Sequence, residues 1–175
     1  MRVHKIERSI RQVRNMLLFN VFSLLGKEFI PDPRNAVNIE VTSICNLKCR
    51  FCAYQKKAAP KVRMSNEFFA GCVEQAVQIG FKAFHLTPIT GEVFMDGQLF
   101  DKLLFLENHP GVESYDFFTN FTLPSHDAIN QLMTLSKLSH LTLSVYGHDL
   151  ESFMAVTQAD EKVYRQLIDH LQFLL

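Results

Sequence analysis

Val37-Asn38-Ile39-Glu40-Val41-Thr42 runs straight into Ser43-Ile44-Cys45-Asn46-Leu47-Lys48-Cys49-Arg50-Phe51-Cys52. The first six residues alternate apolar and polar, the pattern of a strand with two different faces. The cysteines that follow have the spacing CxxxCxxC, so three thiols fall in one short loop directly after a strand. Three thiolates this close can hold a compact inorganic centre. Iron–sulfur clusters are held by cysteine thiolates, usually four. With three, one iron of a 4Fe–4S cluster keeps an open position, the feature that separates a reactive metal site from a structural one. A zinc site that recruits Cys72 or a histidine, and a Cys49–Cys52 redox pair, are the alternatives that the same residues leave open.

Outward from this loop the chain keeps alternating strand and helix. Ser65 predicts an N-cap, Phe69, Cys72, Val73, Ala76 and Val77 one face of a helix, and Gly80 its stop. Cys72 reads as core packing. Ala83 to Thr87 predicts a second strand, leading to Thr90-Gly91-Glu92 and a helix through Leu99, Phe100, Leu103 and Leu104 that Pro110-Gly111 closes. Ser114 to Phe118 predicts a third strand, ended by Thr119-Asn120. Ser125 caps a helix with Ile129, Leu132 and Met133 on its face. Leu141 to Tyr146 predicts a fourth strand, and Val163, Leu167, Ile168, Leu171 and Leu174 mark a last helix.

Such alternation implies a parallel sheet with right-handed crossovers. The polar positions favour a barrel over a doubly wound sheet. Asn38, Glu40 and Thr42 share one strand face, as do Thr142, Ser144 and Tyr146, whereas strands buried on both sides read as continuous apolar runs. The cysteines, Gly91-Glu92, Thr119-Asn120 and Tyr146-Gly147-His148 all follow strand ends. Parallel strands carry such segments to one rim, where barrel active sites sit.

These residues together resemble the radical S-adenosylmethionine (SAM) enzymes, over roughly residues 35–175. The resemblance rests on CxxxCxxC after a first strand with Phe51 before the last cysteine, on Gly91-Glu92 as a glycine–glutamate motif, and more loosely on Thr119-Asn120 and Ser144. It implies a partial TIM-like (β/α) barrel with about four of the core's six strand–helix units. Cys45, Cys49 and Cys52 would bind three irons of a 4Fe–4S cluster, and the amino and carboxylate groups of SAM would chelate the fourth. Gly91-Glu92 would meet the SAM amino group and Phe51 the adenine, with Thr119, Asn120 and Ser144 as further cofactor contacts. Reductive cleavage of SAM to a 5′-deoxyadenosyl radical would then abstract hydrogen from a substrate that the sequence does not name. An electron donor such as flavodoxin or ferredoxin is implied. A zinc-stabilised binding module, and a truncated or degenerate cluster-binding protein without catalysis, are the competing readings.

Composition sets the outer limits. The chain has 175 residues, 47% hydrophobic, with 18 basic and 18 acidic side chains. The balance argues against a generally basic nucleic-acid binder, and the hydrophobic share supports a packed core rather than disorder. The basic residues Lys48, Arg50, Lys56, Lys57, Lys61 and Arg63 surround the cysteines and could dock an acidic donor, or form a solvated loop. His85 and His148 are candidate acid–base groups or structural hydrogen-bonding residues.

Residues 1–34 read as an appendage. Ile6, Ile10, Val13, Leu17, Val21, Leu24 and Leu25 fall at helical spacing, and basic residues precede the apolar run. A helix packing on the domain is the plain expectation. Weak contact with a membrane surface or a partner is the second. No cleavage site for a signal peptide follows, and the apolar run is shorter than the roughly 20 residues of a span. The expectation is a cytoplasmic protein. The chain ends within an apolar helical pattern, Gln172-Phe173-Leu174-Leu175, so the core is expected to be incomplete at its C-terminus, whether as a fragment, a truncated frame or a chain completed by another.

Overall fold

The computed structural model describes residues 2–27, 36–52, 58–86 and 90–175, and the side chains of 2–9, 11 and 12 are not among what it describes. The chain divides into two compact units, residues 1–35 and 36–175. The first is a helix, α1 (Arg2–Leu24), whose range covers all the apolar positions that predicted it except Leu25, which follows its end. No helix of the described residues is long and apolar enough to cross a membrane.

The second unit is a four-stranded parallel sheet in the order β1-β2-β3-β4, with the strands β1 (Val37–Asn38), β2 (Ala83–His85), β3 (Ser114–Thr119) and β4 (Leu138–Leu143). Its helices are α2 (Asn66–Ile79), α3 (Leu99–Asn108), α4 (His126–Met133), α5 (Leu150–Thr157) and α6 (Glu161–Leu174). This is an α/β fold with helices flanking a parallel sheet, the architecture of a partial (β/α) barrel. The β1 ladder is short, but the Ile39 and Val41 amides still donate to the carbonyls of His85 and Leu86, so the strand continues to the cysteine loop.

One sheet face is apolar and covered. Ile39, Val41, Phe84, Leu86, Tyr115 and Phe117 are buried against Phe69, Val73 and Ala76 of α2 and Leu99, Leu103 and Leu106 of α3. The other face is polar, as the alternation in the first and fourth strands predicts. Asn38, His85, Asp116 and His140 are neighbours in register across all four strands. His85 Nδ1 and Asp116 Oδ1 pair there at 2.6 Å.

Local chemistry explains most element ends. Ser65 and Ser125 accept from the amides of Phe68 and Ala128, and Gly80 ends α2 in the left-handed region at φ 105°. α5 lies where no helix was predicted. Asp149 and Ser152 form a reciprocal capping box at its start, a signal that the short apolar stretch hid. β4 begins and ends three residues earlier than expected. Ser144 N–H still bonds Thr119 O at 2.8 Å. Beyond it the third strand has turned away at Phe121, so Tyr146 has no ladder to join. Met133 and Leu104 are exposed at 72% and 41%, so the helix faces that included them are narrower than predicted. Thr87, Lys56 and Lys57 lie outside the described residues.

Two polar features brace the unit. Lys102 and Asp96 form a fully buried ion pair at 2.7 Å, fixing the start of α3 to the short 3₁₀ turn Val93–Met95. Glu107, near the end of α3, accepts hydrogen bonds from the Tyr115 hydroxyl, the Ser136 hydroxyl and the amides of Ser136 and Lys137. Burial acts to raise the Glu107 carboxyl, but these four donors together hold it below its ordinary value of 4.5. A lowered carboxylate stabilises the fold above its unfolded pKa and loses that contribution as pH falls through the folded one. Glu107→Gln is therefore expected to cost about 1 kcal/mol at pH 7, discounted for partial exposure. The variant and the parent should converge in thermal stability as pH drops below about 4.5.

Candidate functional site

The cysteine loop is held from both sides. Thr42 Oγ1 accepts from the Ile44 amide at 3.1 Å, and the Ser43 amide and hydroxyl both bond Val62 O. Farther along, the amides of Lys48 and Arg50 donate to the carbonyls of Thr157 and Val156 at 3.1 and 2.9 Å. The end of α5 thus supports the loop, although it lies more than 100 residues away in sequence. Leu47 is buried at 2%, and the Cys52 amide closes a turn onto Cys49 O.

Gly91 sits hard against this loop. Its φ is +89°, and a β-carbon there would lie 2.0 Å from Thr42 O. The backbone must pass close because the Glu92 amide donates to Ile44 O at 2.8 Å. Glu92 is 2% exposed. Its Oε1 accepts from the Thr119 hydroxyl at 2.6 Å and the Phe94 amide at 3.3 Å, and its Oε2 from the Asn120 amide at 2.6 Å. The carboxylate therefore ties the segment after β2 to the end of β3. Burial outweighs these three bonds and pushes the carboxyl up from its ordinary value.

Asn120 then reaches back to the cysteines. Its Nδ2 donates to Asn46 Oδ1 at 2.9 Å and faces Cys45 Sγ at 4.0 Å. Its Oδ1 accepts from the Thr122 amide at 3.0 Å and the Thr122 hydroxyl at 2.7 Å, and Asn46 Nδ2 donates to the same hydroxyl at 2.9 Å. Between them Phe121 is fully buried in the left-handed region at φ 56°, a costly conformation for an aromatic residue. It is held by its amide on Thr119 Oγ1 at 2.9 Å and by His170 of α6, whose Nδ1–H donates to Phe121 O at 2.8 Å.

These segments meet around one open cavity of about 240 Å³, lined by Cys45, Cys49, Cys52, Phe51, Thr90, Gly91, Glu92, Thr119, Asn120, Ser144 and Tyr146, with Leu47 and Phe118. The three cysteines and the six cofactor-contact candidates Phe51, Gly91, Glu92, Thr119, Asn120 and Ser144 all line it, whereas the acid–base candidates His85 and His148 do not. Phe51, 60% exposed, packs edge-on against Tyr146 with ring centroids 4.9 Å apart. Tyr146, Asn46, Thr122 and His170 were not assigned to the site in advance. Only Tyr146 carried a signal, its place after the fourth strand. The His148 side chain is 89% exposed and pairs with Asp149, away from the cavity. Cys72 packs against the core, as expected.

All four cysteines are free thiols. Burial, followed by the neighbouring Cys45 and Cys52, pushes the Cys49 thiol up to about 11. Burial also raises Cys45, despite the hydrogen bond it gains from the Leu47 backbone. For Cys45 burial outweighs both that hydrogen bond and the Lys61 charge, so the neutral thiol is favoured. Among the described residues, no group of three or more His, Cys, Asp or Glu side chains is placed to hold a metal ion. Lys48, Arg50, Lys61 and Arg63 are exposed around the loop.

No protein-family model matches the chain. No curated protein matches it significantly either. Solved structures do match. Streptococcus suis SuiB bound to S-adenosylmethionine superposes with a TM-score of 0.62 at 16% identity, over 77% of this chain and 30% of its own. BtrN in complex with AdoMet and 2-DOIA gives 0.54 at 16%, over 76% and 55%. Native anSMEcpe with bound AdoMet and the Cp18Cys peptide gives 0.61 at 22%, over 82% and 41%. At these identities the likeness is one of fold. The chain spans between about a third and just over half the length of these three proteins.

Proposed function

We propose that this chain is the first part of a radical SAM core, in which Cys45, Cys49 and Cys52 hold a 4Fe–4S cluster and SAM completes the coordination of its open iron. The observation that carries this reading is the shared cavity. Three cysteines, Gly91-Glu92, Thr119-Asn120 and Ser144 come from four separate segments after four strands, and all line one space. The fold matches that support it include proteins solved with AdoMet bound.

The support for a cluster is the donor set itself, three cysteines at CxxxCxxC spacing that line one cavity. A cluster gives each thiolate its own iron. When bound, cluster and SAM would supply one-electron reduction and hydrogen-abstraction chemistry. The chain's own residues would bind, orient and shield. Gly91 and Glu92 form the wall proposed to meet the SAM amino group, where a positive charge would offset the burial that raises the Glu92 carboxyl. Phe51 and Tyr146 present an aromatic edge suited to an adenine. The polar sheet face with His85 and Asp116 is suited to a polar substrate. The exposed Lys48, Arg50, Lys61 and Arg63 suit an acidic electron donor such as flavodoxin or ferredoxin.

Anaerobic reconstitution with iron and sulfide, followed by reduction in the presence of SAM, tests this. The expected result is about four irons per chain and release of 5′-deoxyadenosine. A cluster without 5′-deoxyadenosine would move the chain to a cluster-binding role without catalysis. One zinc per chain and no iron would move it to a zinc-stabilised binding module.

A further inference from the structure

Asn120 makes more hydrogen bonds than a tie between two loops requires. A carboxamide has two acceptor positions and two donor hydrogens. Both acceptor positions are taken by Thr122, one of them by its backbone amide, which can only donate. That fixes which end of the side chain is oxygen and turns the NH₂ toward the cysteine loop. One of its hydrogens satisfies Asn46 Oδ1. The other faces Cys45 Sγ. Asn120 is 6% exposed, and the strained, buried Phe121 beside it fixes the path of the backbone that aims it.

We propose that Asn120 is a positioning residue that sets the reduction potential of the centre bound at Cys45, by donating Nδ2–H to the Cys45 sulfur. This rests on the cluster reading above. Iron is bound by the thiolate, a stronger acceptor than the neutral thiol. One-electron reduction adds negative charge to the cluster and its sulfurs. A donor to one of those sulfurs stabilises the reduced form more than the oxidised form and raises the potential. The Thr122 hydroxyl, bonded to both Asn120 and Asn46, keeps that donor in place.

The test is a potentiometric titration of the reconstituted chain with dithionite, without SAM, followed by electron paramagnetic resonance (EPR). Asn120→Ala and Asn120→Asp are compared with the parent. Alanine removes the donor. Aspartate keeps the acceptor facing Thr122 and replaces the donor with negative charge. Both should retain the cluster and titrate at more negative potential, the aspartate by more. A tenfold change in the reduction equilibrium is about 59 mV for one electron, and the alanine shift is expected to be of that order. An unchanged or more positive potential in both variants overturns the inference while leaving the cluster reading intact. Loss of the cluster from both variants, with unchanged circular dichroism, also overturns it, since the side chain would then only be holding the loop. Absence of a cluster in the parent overturns the cluster reading, and the inference with it.

Discussion

Cys49→Ala should abolish iron binding while leaving the apo chain folded. Cys49 is 9% exposed, and its thiol, pushed up to about 11, is neutral near pH 7. Removing it deletes one small buried group and no charge, at a cost of about 1 kcal/mol. The cluster reading instead loses one of its three protein ligands. Metal affinity and site integrity fall together, because binding free energy is shared across the ligand set. The expected outcome is complete loss of the brown iron–sulfur absorbance after reconstitution, with a far-ultraviolet circular dichroism spectrum like that of the parent. Cys72→Ala is the matching control. Cys72 packs against the helix-side core, away from the cavity lining, and its variant should load iron as the parent does.

Gly91→Ala should destabilise the fold severely. The new β-carbon would meet Thr42 O at 2.0 Å, an overlap with backbone rather than with a side chain that can swing aside. The φ of +89° is also strained for alanine. Steric overpacking and backbone strain together are expected to cost on the order of 3–5 kcal/mol. Relief would come from pulling Gly91 away from β1, which breaks the Glu92 amide bond to Ile44 O and displaces the cysteine loop. The variant should melt roughly 10 °C or more below the parent, and the fraction that folds should load little iron. Gly71→Ala provides the contrast. It lies in α2 with nothing within 4 Å of the added carbon, and should be neutral or stabilising by up to about 1 kcal/mol.

Much of this site was legible in the sequence because its parts are local signals. Ser65 and Ser125 are N-caps whose side chains meet amides three residues on. The alternation of strands and helices fixes a parallel order, and a parallel order puts the segments after the strands on one rim. That alone brought Cys45, Gly91, Asn120 and Ser144 to one cavity. What stayed hidden depends on contacts between distant residues. Glu92 reads as a lone loop carboxylate, and only the fold shows its two oxygens shared among Thr119, Asn120 and Phe94. Phe121 has no property that announces a left-handed backbone. Its conformation is imposed by Thr119 on one side and by His170, 49 residues away, on the other. The fourth strand was misplaced by three residues because alternation continues past Leu143, whereas the ladder ends where β3 turns at Phe121. His170 is buried on a helix whose face was read from Val163, Leu167, Ile168, Leu171 and Leu174 alone, and its hydrogen bond to Phe121 O satisfies it there.

EPR of the reconstituted, dithionite-reduced chain with and without SAM asks whether three cysteines leave one iron open to that molecule. A radical SAM core at these cysteines requires a 4Fe–4S signal that changes shape when SAM is added, and that is absent in Cys49→Ala. A 4Fe–4S signal indifferent to saturating SAM, or no cluster signal from the parent chain, would contradict it.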